Sequence, residues 1–592
     1  MSRLVILSMF AIISAVAGQP TRAADNDGTP AQAKKANAMA NVLRTMYSSK
    51  TLQDGVYVGS EFCIACHQDY STWRDTKHAQ ALRRPMPEYT LMAGKGVVAD
   101  YDENGVDDFM QGLDFNTISS VFDVYKPNAP VLSYADGSYF VTIGTSTMPV
   151  VCTQGGTGDW KQRYLLRVPV VGTADGYSAE NYVSPIQFNE KTHAYVLYHP
   201  EAWYDAANLP RYDATTPVAD LAAQNGRTYS KKCIGCHTTG VREVGQHESG
   251  EWYYKAFPAA LFREDDPSYF DYDHDGITDI VNVGCEACHG PGSAHILGAG
   301  NPDLIVNPDE LETAEANAVC GQCHSRTSSV PNGTHGWPYN DETGTSWIPG
   351  TGQVLADFFS DAAGRWPDGV TSRQHHQQYF DFLESSKPDF QFHPVKCVEC
   401  HNSHGTTTNK HLIRDVIVDD GLEIATANDN DTLCLACHAT HGDFESITKE
   451  MVADYETNEV DIGLAVSVHT KHPYAPERSM GLSRCSKCHN ATTAKSAINY
   501  DVHSHTFEVI SPEKTLAYQD EGGMPNSCAV SCHATKVNSF DSGFDTAIGT
   551  WDSATDVDLA TELMKFFGPG GVWWDHSIDD TGEGKQGPTL QD

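Results

Sequence analysis

The chain has 592 residues, with 78 acidic against 40 basic side chains and a formal net charge of −38 at pH 7. So acidic a surface repels polyanions, which excludes nucleic acid and anionic membranes as partners. Hydrophobic residues make up 40% and charged residues 20%, a globular composition without disordered or collagen-like bias. The anomaly is 17 cysteines and 26 histidines.

Residues 1–23 read as an export signal. Arg3 is followed by an apolar run from Leu4 to Gly18, and small residues stand at Ala15-Val16-Ala17 and Ala23-Ala24. The expectation is a secreted protein, periplasmic or extracellular, with no membrane span left after the signal is removed.

Seven segments then read Cys-x-x-Cys-His, where chance at this composition gives roughly 0.02. They are Cys63/Cys66/His67, Cys233/Cys236/His237, Cys285/Cys288/His289, Cys320/Cys323/His324, Cys397/Cys400/His401, Cys434/Cys437/His438 and Cys485/Cys488/His489. An eighth, Cys528-Ala-Val-Ser-Cys532-His533, has one extra residue between its cysteines. Two thiols this close reach the two vinyl groups on one porphyrin edge, and the adjacent imidazole reaches the iron. Zinc ribbons have no use for a histidine after every pair, and redox dithiols do not recur eight times. The motifs predict eight haem c (heme c) groups, each with a proximal histidine.

An electron-transfer haem takes a second axial ligand, and 18 histidines remain to supply it. The candidates are His78, His295, His335, His376, His404, His441, His472 and His505. Three of these are chosen from pairs in which either member is plausible: His375/His376, His469/His472 and His503/His505. His193, His199 and His411 are weaker candidates, and His247, His274 and His576 read as solvated. His404 and His441 each follow a proximal histidine by three residues, and His295 follows His289 by six. Links so short cannot pass round a porphyrin, so each of the three would serve a neighbouring haem.

Spacing divides the chain into an N-terminal segment with the first motif (24–114), a β-rich insertion (115–205), a haem-dense region with the other seven motifs (206–540), and a C-terminal helix near Leu559–Phe567 with an acidic tail (541–592). Val121–Tyr125, Tyr139–Ile143, Arg163–Val171 and Thr192–Tyr198 read as extended segments of the insertion. The predicted fold is a multihaem cytochrome c: mostly irregular chain with short α-helices around a haem stack, plus a small inserted antiparallel β domain. The odd cysteine, Cys152, reads as a buried free thiol.

Two loops share the pattern Asp-x-Asp-x-Asp/Asn-Gly-x-x-Asp: Asp100, Asp102, Asn104 and Asp108, then Asp271, Asp273, Asp275 and Asp279. Alternating oxygen ligands around a glycine turn can wrap Ca2+, although neither loop ends in the bidentate glutamate of an EF-hand.

Cys233-Ile-Gly-Cys-His-Thr-Thr-Gly240, Val283-Gly-Cys-Glu-Ala-Cys-His-Gly-Pro-Gly-Ser-Ala-His295 and Val319-Cys-Gly-Gln-Cys-His324 resemble a family of exported multihaem c-type cytochromes. Trp160–Leu165, Val183–Gln187 and Trp203-Tyr204 look like that family's β insertion, and the resemblance spans roughly residues 60–440. It implies distal ligation by His78 and His295. It also implies extracellular electron transfer of the kind carried out by cytochromes of metal-reducing bacteria, some of which polymerise into filaments. The partners would be other redox proteins, further copies of the chain, and extracellular electron acceptors. The competing reading is an octahaem oxidoreductase acting on a small nitrogen or sulfur compound at one open-faced haem.

Overall fold

The computed structural model describes residues 49–330, 347–360, 364–391, 393–405, 407–419, 421–428, 430–472, 474, 484–533, 554–565, 567 and 571. The signal segment, His335, His576 and most of the acidic tail lie outside the described residues. Two compact units result: residues 1–158, 162–188 and 193–307 form one, and residues 159–161, 189–192 and 308–592 the other.

The first unit is organised by a seven-stranded sheet. Its strands are β1 (Leu82–Arg83), β2 (Val131–Ala135), β3 (Ser138–Ile143), β4 (Ser146–Gly155), β5 (Lys161–Leu166), β6 (Tyr182–Asn189) and β7 (Ala194–Leu197). β2 to β7 pair in chain order, and β1 adds to β4 through Leu82 opposite Gln154. β3 shows why the segment is a strand: buried Tyr139, Val141 and Ile143 alternate with Phe140 and Thr142, the period of a pleated surface with one dry face. On that face Phe109 stands edge-on to Tyr139 and Tyr164, with centroids 5.6 and 5.0 Å away. Burying each such side chain stabilises the fold by roughly 1.5–3 kcal/mol. Leu82, Cys152, Leu165 and Val183 belong to a second buried cluster, with Tyr229, Cys233 and Ile234 of the second motif. Cys152 is a fully buried free thiol, and burial pushes its pKa above the ordinary range.

Val121–Tyr125 is not extended. Residues 123–125 form a 3₁₀ turn, with Phe122 and Tyr125 buried and Val121 and Val124 exposed. Apolar burial three residues apart fits a helical turn, and the Ser120 N–H bonded to Asp123 Oδ1 (3.1 Å) holds it.

Most motifs sit on short helices: α1 (Ser60–Cys66), α2 (Ile234–His237), α3 (Cys285–His289), α4 (Thr313–His324), α5 (Cys397–Cys400), α6 (Thr432–His438) and, after the 16-residue α7 (Tyr455–Thr470), α8 (Cys485–His489). The eighth motif takes a π turn, Ala529–His533. A π turn spans one residue more than an α turn, so it absorbs the inserted Ser531 within a helical path. In the second unit Leu435 and Ala436 of α6 pack with Ile462 and Val466 of α7. Ala529 and Val530 of the π turn pack on Leu559 and Leu563 of α9 (Val557–Met564). Among the described residues no helix is long and apolar enough to cross a membrane.

Candidate haem centres

Each motif presents two thiols and an imidazole from one or two turns of chain, the donor set that covalent haem attachment needs. None of the 16 motif cysteines forms a disulfide that would compete for it. The second motif departs from the rest. Cys233 stands just before α2 with φ of −135°, and its carbonyl accepts the Cys236 N–H at 3.2 Å, so the tight turn that opens the helix joins these two thiols. In the third and fourth motifs both cysteines lie on one helix, Cys285 and Cys288 on α3, and Cys320 and Cys323 on α4. Among the second thiols, Cys66 and Cys437 are exposed, whereas Cys236, Cys288 and Cys323 are half-buried, as are Cys400, Cys488 and Cys532. The assignment of Cys236, Cys288 and Cys323 as haem attachment points rests on the motif and its turn.

With metal–nitrogen bonds of about 2 Å, two imidazoles on opposite faces of one iron have centroids roughly 6 Å apart. Four proximal histidines face a second histidine at that separation. His67 faces His295 at 6.3 Å with planes 25° apart, and His401 faces His505 at 6.3 Å and 22°. His489 faces His469 at 6.2 Å and 21°, and His324 faces His376 at 5.8 Å and 69°. The donor chemistry and the spacing both fit a porphyrin iron.

The other ring nitrogen supports the fit. A metal-bound imidazole usually donates its remote N–H to a carbonyl or carboxylate, which fixes the ring and frees Nε2. His289, His295, His401, His489 and His505 donate Nδ1–H to the carbonyls of Val306 (2.6 Å), Asn301 (2.8 Å), His411 (3.0 Å), Phe507 (3.0 Å) and His503 (3.2 Å). His469 donates instead to a carboxylate, Asp443 Oδ2, at 2.7 Å. Burial, followed by the neighbouring His401, pushes His505 down to about 3, so its ring is neutral and its lone pair is available.

The other expected ligands are placed less directly. His78 accepts the Val283 N–H on its carbonyl (3.1 Å), and His237 accepts that of Asn282 (3.0 Å), so both stand beside the third motif. His441 and His472 donate Nδ1–H to Ala439 O (2.7 Å) and Thr470 O (2.8 Å). His404 is exposed in a turn. The side chain of His533 and the whole of His335 fall outside the described residues. The ring opposite His489 is His469, although the sequence favoured His472. Among the weaker candidates, His193 bonds the Asp100 carbonyl through Nε2, and His199 bonds Glu201 at 2.8 Å. His274 is half-buried against Asn181 Oδ1 (2.9 Å) rather than solvated.

The two acidic loops fold alike and, at the four candidate ligand positions, differ at one. Asp100 accepts the N–H groups of Asn104 and Gly105 (3.0 and 2.9 Å), and Asp271 accepts those of Asp275 and Gly276 (3.1 and 2.8 Å). Gly105 and Gly276 take φ of 83° and 88°, which glycine alone adopts freely. In the first loop Asn104 donates Nδ2–H to Asp102 (3.0 Å), and Asp108 is held by Tyr101 N–H (3.1 Å) and Tyr195 OH (2.7 Å). The second loop has Asp275 in place of that amide. There the carboxylates of Asp271, Asp273 and Asp275 converge within 4.8 Å. Both oxygens of Asp273 are buried without a hydrogen bond, with Arg242 and Lys255 3.8 Å away. Burial raises Asp273 to about 6, and Asp279 beside it is raised as well.

Comparison with known proteins agrees with this chemistry. Residues 393–443, which carry the fifth and sixth motifs, match the doubled CXXCH motif family. A stretch of 162 residues is 28% identical to the multiheme cytochrome MtrA of Shewanella baltica (strain OS185), covering 27% of this chain and 43% of that protein. The chain thus spans less than half the length of this relative. In structure the chain is similar to the outer cell wall cytochrome OcwA, with 19% identity, a TM-score of 0.39, and coverage of 86% of this chain and 98% of that one. It is also similar to the undecahaem cytochrome from the S-layer of Carboxydothermus ferrireducens, with 15% identity, a TM-score of 0.33, and coverage of 89% and 64%. The recurring Cys-x-x-Cys-His segments, the doubled-motif match over residues 393–443 and the similarity to MtrA together support a multihaem c-type cytochrome family for this chain.

Proposed function

We propose that the chain holds eight haem c groups, each with two histidine ligands, and carries electrons along them outside the cytoplasm without binding a substrate. The observation that carries this reading is the set of four histidine pairs at 5.8–6.3 Å, each joining a motif histidine to a second imidazole. Haem iron closed on both faces changes oxidation state with little rearrangement, and it leaves no site for a small molecule to react. The thioether links of the second, third and fourth haems fall on Cys233 and Cys236, Cys285 and Cys288, and Cys320 and Cys323, and intact-mass measurement of the variants Cys236→Ala, Cys288→Ala and Cys323→Ala checks each. His295, His376, His505 and His469 hold the second face at the first, fourth, fifth and seventh motifs. The remaining four irons draw on His78, His335, His404, His441 and His472. The acidic surface suits docking of cationic redox partners. A filament of such chains, which the family resemblance implies, needs a heterologous contact that repeats from copy to copy, and electron microscopy of the holoprotein checks it.

The second acidic loop is proposed to take one Ca2+ on Asp271, Asp273 and Asp275. The buried, unbonded carboxylate of Asp273 supports this.

Low-temperature EPR of the oxidised holoprotein, with and without cyanide or nitrite, tests the conduit. Low-spin signals unmoved by either ligand are expected. A high-spin signal that shifts on ligand addition would reveal an open iron and replace the conduit with an oxidoreductase.

A further inference from the structure

Three pairs of motifs are joined in the same way, although they differ in sequence and lie in different parts of the fold. In each pair, the residue three positions before the first cysteine of the earlier motif accepts the backbone N–H of the first cysteine of the later one. Ser60 Oγ accepts from Cys285 (3.1 Å), Asn317 Oδ1 from Cys397 (2.8 Å) and Asp431 Oδ1 from Cys485 (2.8 Å). All three acceptors are buried. The same pairs bring their first thiols close enough to influence one another: Cys63 with Cys285, Cys320 with Cys397, and Cys434 with Cys485. Their proximal imidazoles also lie within electrostatic range of one another: His67 with His289, His324 with His401, and His438 with His489.

A repeated helix contact would not by itself require a polar acceptor at one fixed offset. A buried acceptor aimed at the N–H that opens a helix fixes where that helix starts, and with it the direction of the thiol on the same residue. Since the first thiol is the attachment point on the porphyrin edge, fixing it in both motifs fixes the meeting of two edges.

We propose that Ser60, Asn317 and Asp431 are positioning residues that clasp the haems into three edge-joined pairs, on motifs one and three, four and five, and six and seven. In the second unit the pairs also approach one another through the second thiols of motifs five and seven. Cys400 lies in electrostatic range of Cys434 and Cys437, and Cys488 of Cys532. Ser531 Oγ, in the eighth motif, donates to Lys487 O (2.6 Å), in the seventh. Motifs four to eight thus neighbour one another in chain order, and their haems would follow in the same order. This order rests on the conduit reading for its use, but not for its existence.

The test is Soret circular dichroism of the holoprotein, in which closely paired porphyrins give a bisignate couplet. Asn317→Val removes the acceptor with another short, branched side chain, and Asn317→Asp keeps an acceptor oxygen. Ser60→Ala is a milder change at another pair. With haem content per chain verified by mass spectrometry, Asn317→Val and Ser60→Ala are each expected to lose the couplet contribution of one pair of the three, and Asn317→Asp to keep it. An unchanged couplet in both deletion variants at full haem content overturns the proposal, as does equal loss in Asn317→Asp. An iron that binds cyanide would defeat the conduit reading and leave this outcome untouched.

Discussion

The Nδ1–H of His469 ends on the carboxylate of Asp443, whereas His489, the ring it faces, ends on the carbonyl of Phe507. A carboxylate draws the proton harder than a carbonyl does, makes the imidazole a stronger donor, and favours ferric over ferrous iron. Asp443→Asn is therefore expected to raise the potential of one haem, by on the order of tens of millivolts. Spectroelectrochemical titration of the holoprotein would show it, and a titration curve superimposable on the wild type would refute the assignment of His469.

The angle between paired imidazoles separates one haem from three. His67/His295, His401/His505 and His469/His489 lie 21–25° from parallel, while His324 and His376 lie 69° apart. Near-parallel ligands split the iron d orbitals rhombically; crossed ligands leave them nearly degenerate and give a low-spin signal of unusually large g. The fourth haem is expected to contribute such a signal, and His376→Ala to remove it and introduce a ligand-binding high-spin iron in its place. EPR of the two proteins decides.

Glu286, inside the third motif, accepts the N–H groups of Val58 (2.9 Å), Gly59 (2.7 Å) and Gly292 (2.7 Å) and is 2% exposed. Burial outweighs these donors and raises its carboxyl from 4.5 to about 7. A raised acid keeps its proton in the folded state after the unfolded chain has lost it. Stability is therefore full below about pH 4.5 and falls as pH rises to about 7, by roughly 3 kcal/mol in all. Glu286→Gln should flatten this slope. Denaturation midpoints measured at both ends of that range would test it, and an unchanged slope would assign the pH dependence to other groups.

Calcium should raise the thermal midpoint of the wild type, and Asp273→Asn should abolish the response, because a ligand that binds only the folded state stabilises it by mass action. Asp102→Asn serves as the control in the first loop, where Asn104 already satisfies that carboxylate, and should leave the response intact. Equal responses from all three proteins would exclude the second loop as the site.

What could be read from the sequence follows from how local each interaction is. The motifs stand out because the two thiols and the imidazole that attachment would need are close neighbours in the chain. The strands at Tyr139–Ile143 and Arg163–Leu166 are legible because β-branched and aromatic side chains alternate there. Val121–Tyr125 has the same composition with helical spacing, and composition alone cannot separate the two. The ring opposite His489 depends on where α7 ends and on Asp443, which stands 26 residues earlier in the chain than His469. The clasps left a signal, a small polar residue three before a first cysteine, but its partner lies up to 225 residues away, at Ser60 and Cys285.

That last separation sets an order of assembly. The pairs on motifs four and five, and six and seven, close across 80 and 54 residues between acceptor and cysteine, but the Ser60–Cys285 clasp closes across 225, with the whole β-sheet in between. Long loops close late, since their entropy is lost before their contacts form. Under the proposed pairing, a chain folding from its N-terminus would hold its first motif unpaired until the sheet has folded and residue 285 has followed. Throughout that interval the face meant for the third motif would be open to solvent, to oxidants and to other nascent chains.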